Sequence, residues 1–152
     1  MSNLFNIDFI EFLELLKKHQ VEFLLVGGYA VILHGYVRST GDMNLWVKKS
    51  ESNYFKIKKT YFEFGAPIFS IEEFLNDEFD VWAIGIEPNK IDILSDVKGL
   101  VFDDSFKKCI WYEITDFKIP YIDFEDLIKV KKSVGRFKDL SDIEQLNKLK
   151  KD

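Results

Sequence analysis

The chain has 152 residues, 47% of them hydrophobic and 15 of them Phe, which suits one domain with a substantial core and excludes a disordered chain. A net charge of −5 gives no overall pull toward nucleic acid or an anionic membrane, and a single cysteine, Cys109, excludes an internal disulfide and a cysteine-rich zinc site. No apolar run is long enough to span a bilayer, and the opening MSNLFNIDFIEFL lacks a basic segment and a cleavage signal, so the reading is of a soluble cytoplasmic protein.

In chain order, Asn6 or Asp8 can cap a helix through about residue 18, in which Phe9, Phe12, Leu13, Leu15 and Leu16 recur at helical spacing. Residues 21–26 are apolar except for Glu22, short, and followed by glycine, the pattern of a strand buried on both faces. A two-turn helix over 29–34 follows, ended by Gly35; His34 on it reads as a packing residue rather than a ligand or base. After a strand that starts at Asp42 and runs through Val47, Ser50 caps a helix to about Phe64, with Tyr54, Phe55, Ile57, Tyr61 and Phe62 on its buried side and a break at Gly65-Ala66-Pro67.

Ser70 and Glu73 have capping-box spacing for a short helix over 71–75. Strands over 79–86 and 90–94, joined by Glu87-Pro88-Asn89, read as an antiparallel hairpin. Asp103 or Ser105 opens a turn of helix, and 109–114 pairs with 118–122 around Thr115-Asp116, where Pro120 places the second strand at an edge and Cys109 is a small core residue. Asp123 caps a helix that stops at Gly135, and a last helix covers 140–149. The plan is mixed α/β (α+β), a small mixed sheet flanked by helices, with one domain over 1–152, a core of about 1–122 and a C-terminal helical segment over 123–152.

One stretch carries the chemistry: VGGYAVILHGYVRSTGDMNLWV, residues 26–47. Gly27 and Gly28 follow a strand and open a helix, so backbone N–H groups are exposed where no Cβ bars a phosphate and where a helix N-terminus favours negative charge. The spacing is not that of a dinucleotide-binding G-x-G-x-x-G turn. In the next strand Asp42 and Asn44 share a face, two oxygen-bearing side chains able to hold a hard cation against phosphates. Downstream, Asp92 interrupts the apolar run KIDIL, and a buried carboxylate is costly without a partner. If its strand lies beside that of Asp42, then Asp42, Asn44 and Asp92 meet at a sheet edge near the glycines, with Arg38, Ser39 or Thr40 as further donors to oxygen. Nucleotidyl transfer asks for such a set, because carboxylates hold Mg²⁺ against a triphosphate and help deprotonate the attacking hydroxyl.

GGYAVILHGYVRSTGDMNLWV with KIDIL downstream resembles the minimal nucleotidyltransferases of the DNA polymerase β superfamily, whose pattern is Gly-Gly or Gly-Ser on a helix-flanking turn, Asp-x-Asp at a strand start and a third acidic residue on a later strand. More narrowly, the Arg-x-Thr-x-Asp loop and the tail IPYIDFEDLIKVKKSVGRFKDLSDIEQL are similar to bacterial AbiEii-type toxin nucleotidyltransferases; the resemblance covers about residues 21–146.

The resemblance implies a nucleotidyltransferase-like fold, with Gly27 and Gly28 as the phosphate turn, Asp42 as the first metal carboxylate, Asn44 at the place of the second and Asp92 as the third. It implies Mg²⁺ or Mn²⁺ as cofactor, a nucleoside triphosphate as substrate, and an RNA, protein or small molecule as acceptor. It also suggests an antitoxin partner. Asn44 departs from the pattern: an amide keeps an oxygen ligand but removes a negative charge, so metal affinity falls. That departure favours a second reading, a nucleotide-binding or partner-binding module whose catalysis is weakened or lost. Lys129, Lys132, Arg136 and Lys138 stand where such proteins carry a basic surface, and read equally as a solvated helix face.

Overall fold

A computed structural model describes residues 4–151. The elements are α1 (Ile7–Lys18), β1 (Phe23–Val26), α2 (Gly27–Leu33), β2 (Asp42–Val47), α3 (Glu51–Phe64), α4 (Ile71–Leu75), β3 (Val81–Ile84), β4 (Lys90–Leu94), α5 (Phe102–Lys107), β5 (Ile110–Ile114), β6 (Phe117–Tyr121), α6 (Phe124–Val134) and α7 (Phe137–Lys151). Four helix starts use the side chains their sequence offers: Asn6, Ser50, Ser70 and Asp123 accept from the backbone N–H of Phe9, Asn53, Glu73 and Asp126. Gly65 and Gly135 end α3 and α6 in the left-handed conformation, with φ of 92° and 68°.

The six strands form one mixed sheet in the order β3-β4-β2-β1-β6-β5. β1 runs antiparallel to β2 and parallel to β6, β2 runs parallel to β4, and the β3–β4 and β5–β6 pairs are antiparallel. Successive strand residues face opposite ways, so β1 divides its apolar run between two layers. Phe23 and Leu25 join Phe9, Phe12, Leu13, Leu45 and Ile93 beneath α1, α3 and α4. Leu24 and Val26 join Trp46, Val97, Phe102, Leu127 and Leu146, which seat α5, α6 and α7 on the other face. Fully burying each of these large side chains contributes roughly 1.5–3 kcal/mol, so the C-terminal helices are fixed to the sheet by packing.

Four expectations change. Pro120 does not mark an edge: β6 lies between β1 and β5, and its ladder to β1 is confined to the Leu25–Tyr121 pair and the Ile122 N–H donating to Leu25 O at 3.0 Å, just past the proline. Phe55 and Phe62 are exposed, at 47% and 86%, because the buried stripe of α3 runs through Tyr54, Ile57 and Tyr61 and leaves them one position off it. Neither Asp103 nor Ser105 caps α5, whose N-cap is Val101 without a side-chain bond. The last helix begins at Phe137, three residues early, because Asp139 turns inward and bonds the Arg136 N–H. No helix among the described residues is long and apolar enough to cross a membrane.

Candidate active site

Sheet pairing sets the geometry. On β2 and β4, Asp42 is the Cα partner of Lys90 and Asn44 that of Asp92, while Asn44 is also the partner of Val26 at the end of β1. Partners on adjacent strands share a face, so Asp42, Asn44, Lys90 and Asp92 project together beside the turn at Gly27. The group sits at one end of three central strands rather than at a lateral edge of the sheet.

The glycines are in close contact with this group. Gly27 has φ of 70°, and a Cβ there would collide with the Asn44 side chain, meeting its Cβ at 3.1 Å as well as Nδ2. At Gly28 a Cβ would fall 2.8 Å from Thr40 Cβ, onto its hydroxyl, and 3.4 Å from Arg38 Nη1. Bare backbone is therefore required at both positions. α2 is only seven residues long, so the N–H groups of the turn count for more than its helix dipole. Thr40 lies against the turn, with Oγ1 3.5 Å from Asp42 O, and Ser39 is exposed.

Asp92 is 6% exposed, and its Oδ1 accepts no hydrogen bond. Burial first, and then the adjoining Asp42 side chain, push its pKa up to about 6, against the pull of Lys90. Lys90 Nζ stands 3.6 Å from Oδ1, near enough for an ion pair but beyond a hydrogen bond. A buried carboxylate oxygen without a donor is costly, and a hard cation is the partner that would satisfy it. Asp42, Asn44 and Asp92 offer two carboxylates and an amide, donor types that a divalent ion takes, while no group of three or more His, Cys, Asp or Glu that could hold a metal ion is found among the described residues.

Arg38 stands beside the turn, but three of its N–H groups are committed within the protein. Nε and Nη2 donate to the two carboxylate oxygens of Asp142, each at 2.8 Å, and Nη1 donates to Ser39 O at 2.9 Å. Asp142 also pairs with Lys131 at 2.8 Å, Lys131 with Asp139 at 3.2 Å, and Asp139 with Arg136 at 2.8 Å. Burial alone would raise both aspartates; their ion pairs outweigh it and hold them below the usual carboxylate range. Of the tail cations, Lys129, Lys132 and Lys138 are solvated, and Arg136, also exposed, is paired with Asp139. His34 is a packing residue: Nε2 lies 2.8 Å from Ile122 O and the ring meets Tyr121 and Phe124 edge-on.

Sequence reasoning missed Lys90, Lys131, Asp139 and Asp142. Lys90 carried a usable signal, since it sits two residues before Asp92 and so on the same strand face. The other three looked like ordinary helix surface charge, and only the docking of α6 on α7 turns them inward. Glu87, read as a turn residue, lies over Gly41, where a Cβ would meet its carboxylate.

No family model and no curated protein matches the chain. Solved structures do. The putative nucleotidyltransferase TM1012 from Thermotoga maritima aligns with a TM-score of 0.60 at 17% identity, over 92% of this chain and 91% of that one. The lincosamide antibiotic adenylyltransferase LnuA, in its lincomycin-bound form, aligns with a TM-score of 0.57 at 16% identity, over 95% of this chain and 98% of that one. At such identity the likeness is one of fold, and the six-stranded mixed sheet with seven helices among the described residues is the nucleotidyltransferase fold.

Proposed function

We propose that this chain is a metal-dependent nucleotidyltransferase that moves an NMP from an NTP to a hydroxyl group. The observation that carries the reading is the convergence of Asp42, Asn44 and the buried Asp92, whose Oδ1 accepts no hydrogen bond, at the Gly27-Gly28 turn. Phosphate oxygens would accept from the backbone N–H groups of the turn, with Ser39 and Thr40 as flanking donors. Asp42, Asn44 and Asp92 would hold Mg²⁺ or Mn²⁺, which when bound supplies positive charge against the triphosphate. In the transfer the acceptor oxygen bonds to the α-phosphorus, the bond from that phosphorus to the bridging oxygen breaks, and pyrophosphate leaves. Asp92, ionised at neutral pH, takes the proton of the attacking hydroxyl. Likeness to an adenylyltransferase in complex with lincomycin makes ATP and a small-molecule hydroxyl the first pair to try.

Asn44 supports a second reading, a nucleotide-binding or partner-binding module with weakened or lost catalysis. One titration separates the two: each NTP, with and without Mg²⁺ or Mn²⁺, added to wild type, Asp42→Ala and Asn44→Asp. Metal-dependent binding that Asp42→Ala loses and Asn44→Asp strengthens supports the enzyme. Binding that is indifferent to metal in all three supports the module, and no binding by wild type or Asn44→Asp overturns the nucleotide site.

A further inference from the structure

We propose that the Lys90 ammonium takes the place of one divalent cation, so that the site binds a single metal ion with its nucleotide rather than a pair. This rests on the metal-dependent reading above.

Lys90 belongs to the site by construction. It is the Cα partner of Asp42, it shares a strand face with Asp92, and its Nζ lies 3.6 Å from Asp92 Oδ1. Its side chain is 37% exposed against 9% for Asp92, so the lysine is the more solvent-accessible member of the pair. At that separation it neutralises Oδ1 without satisfying it, which leaves the oxygen a lone pair to give to one further cation.

Charge makes the same point. A site with three carboxylates and two divalent ions carries one residual positive charge. Here Asn44 replaces a carboxylate with a neutral amide, and Lys90 adds an ammonium. Two carboxylates, one ammonium and one divalent ion again leave one positive charge, the same balance offered to a triphosphate. A second divalent ion would raise the total by two, with no third carboxylate to receive it. The amide and the lysine are thus two halves of one change.

The test is Mn²⁺ stoichiometry by electron paramagnetic resonance on the intact chain, with the α,β-methylene analogues of ATP, GTP, CTP and UTP in turn. Wild type and Lys90→Arg should each bind one Mn²⁺ per bound nucleotide analogue, and the double variant Lys90→Met with Asn44→Asp should bind two. Without nucleotide, Lys90→Met alone should bind Mn²⁺ about tenfold more tightly than wild type, and Lys90→Arg should not. Lys90 is half-buried and Met keeps its apolar stem, so folding should survive, as thermal melting will check. Two Mn²⁺ per nucleotide in wild type, or one in the double variant, overturns this proposal and leaves the nucleotide site standing. Failure of every variant to bind Mn²⁺ or any analogue overturns the proposal and the nucleotide site together.

Discussion

Arg38 and Asp142, 104 residues apart in the chain, form a fork of two 2.8 Å bonds in which Asp142 is 1% exposed. The pair clamps α7 to the loop that carries Thr40, and Lys131 closes it from α6. Removing one member of a buried ion pair strands the others, at a cost of about 3–5 kcal/mol. Asp142→Asn should therefore lower the urea midpoint sharply, whereas Arg136→Ala, whose side chain is 70% exposed, should cost less than about 1 kcal/mol. Equal effects of the two would mean that the cluster does not hold the helices. Because Asp139 and Asp142 titrate below the ordinary range, their contribution is complete above about pH 4 and lost as pH falls through their folded values.

Gly28 and Gly65 give a matched pair of substitutions. Gly28→Ala drives a Cβ into Thr40, 2.8 Å from its Cβ, and the turn must shift. A loss of about 1–3 kcal/mol and of nucleotide binding is expected. Gly65→Ala meets nothing within 4 Å and pays only for its φ of 92°, about 1 kcal/mol, with binding unchanged. Thr40→Gly in the Gly28→Ala chain should restore part of the nucleotide affinity. If Gly28→Ala binds nucleotide as wild type does, the turn is not the phosphate site.

Tyr61 is buried to 2% exposure beneath α1, and its hydroxyl has no hydrogen-bond partner among the described residues. Burial raises its pKa, so the phenol stays neutral and simply lacks an acceptor. Its ring packs edge-on against Phe12 and Phe69, contacts that phenylalanine would keep. Tyr61→Phe should therefore raise the melting temperature, by the equivalent of about 1 kcal/mol or more. A drop would reveal a hydrogen bond to the hydroxyl.

What the sequence made legible divides by the range of the interaction. Helix starts at Asn6, Ser50, Ser70 and Asp123, and the helix ends at Gly65 and Gly135, are local chemistry and lie where their residues put them. The Asp42–Asn44–Asp92 group was legible because period-two alternation fixes faces and an aspartate inside KIDIL asks for a reason. Pro120 misled because edge position depends on long-range pairing: the local hairpin with β5 was legible, but β1, far earlier in the chain, pairs with the other side of β6. Asp139 and Asp142 were invisible for a related reason: on an isolated helix they are ordinary surface acids, and only the packing of α6, α7 and the Arg38 loop makes them buried counter-ions.

Asp92 supplies a pH signature with a definite sign. Burial and the adjoining Asp42 raise its pKa from 3.8 to about 6, so between those values the unfolded chain has released a proton that the folded chain keeps. Stability therefore falls as pH rises through this window and levels above it; two pKa units set a ceiling of about 3 kcal/mol. With EDTA present, Asp92→Asn should abolish that component. Subtracting its urea stability from that of wild type should give a difference that declines from pH 4 to 6 and is flat from 6.5 to 8. Asp139 and Asp142 are common to both chains and cancel in the subtraction. Adding Mn²⁺ at pH 7.5 should then stabilise wild type and leave Asp92→Asn nearly unmoved, since only wild type keeps the anionic oxygen that wants a cation. A difference that rises with pH would show Asp92 paired and satisfied in the folded chain, and would remove it from the metal site and from the role of base.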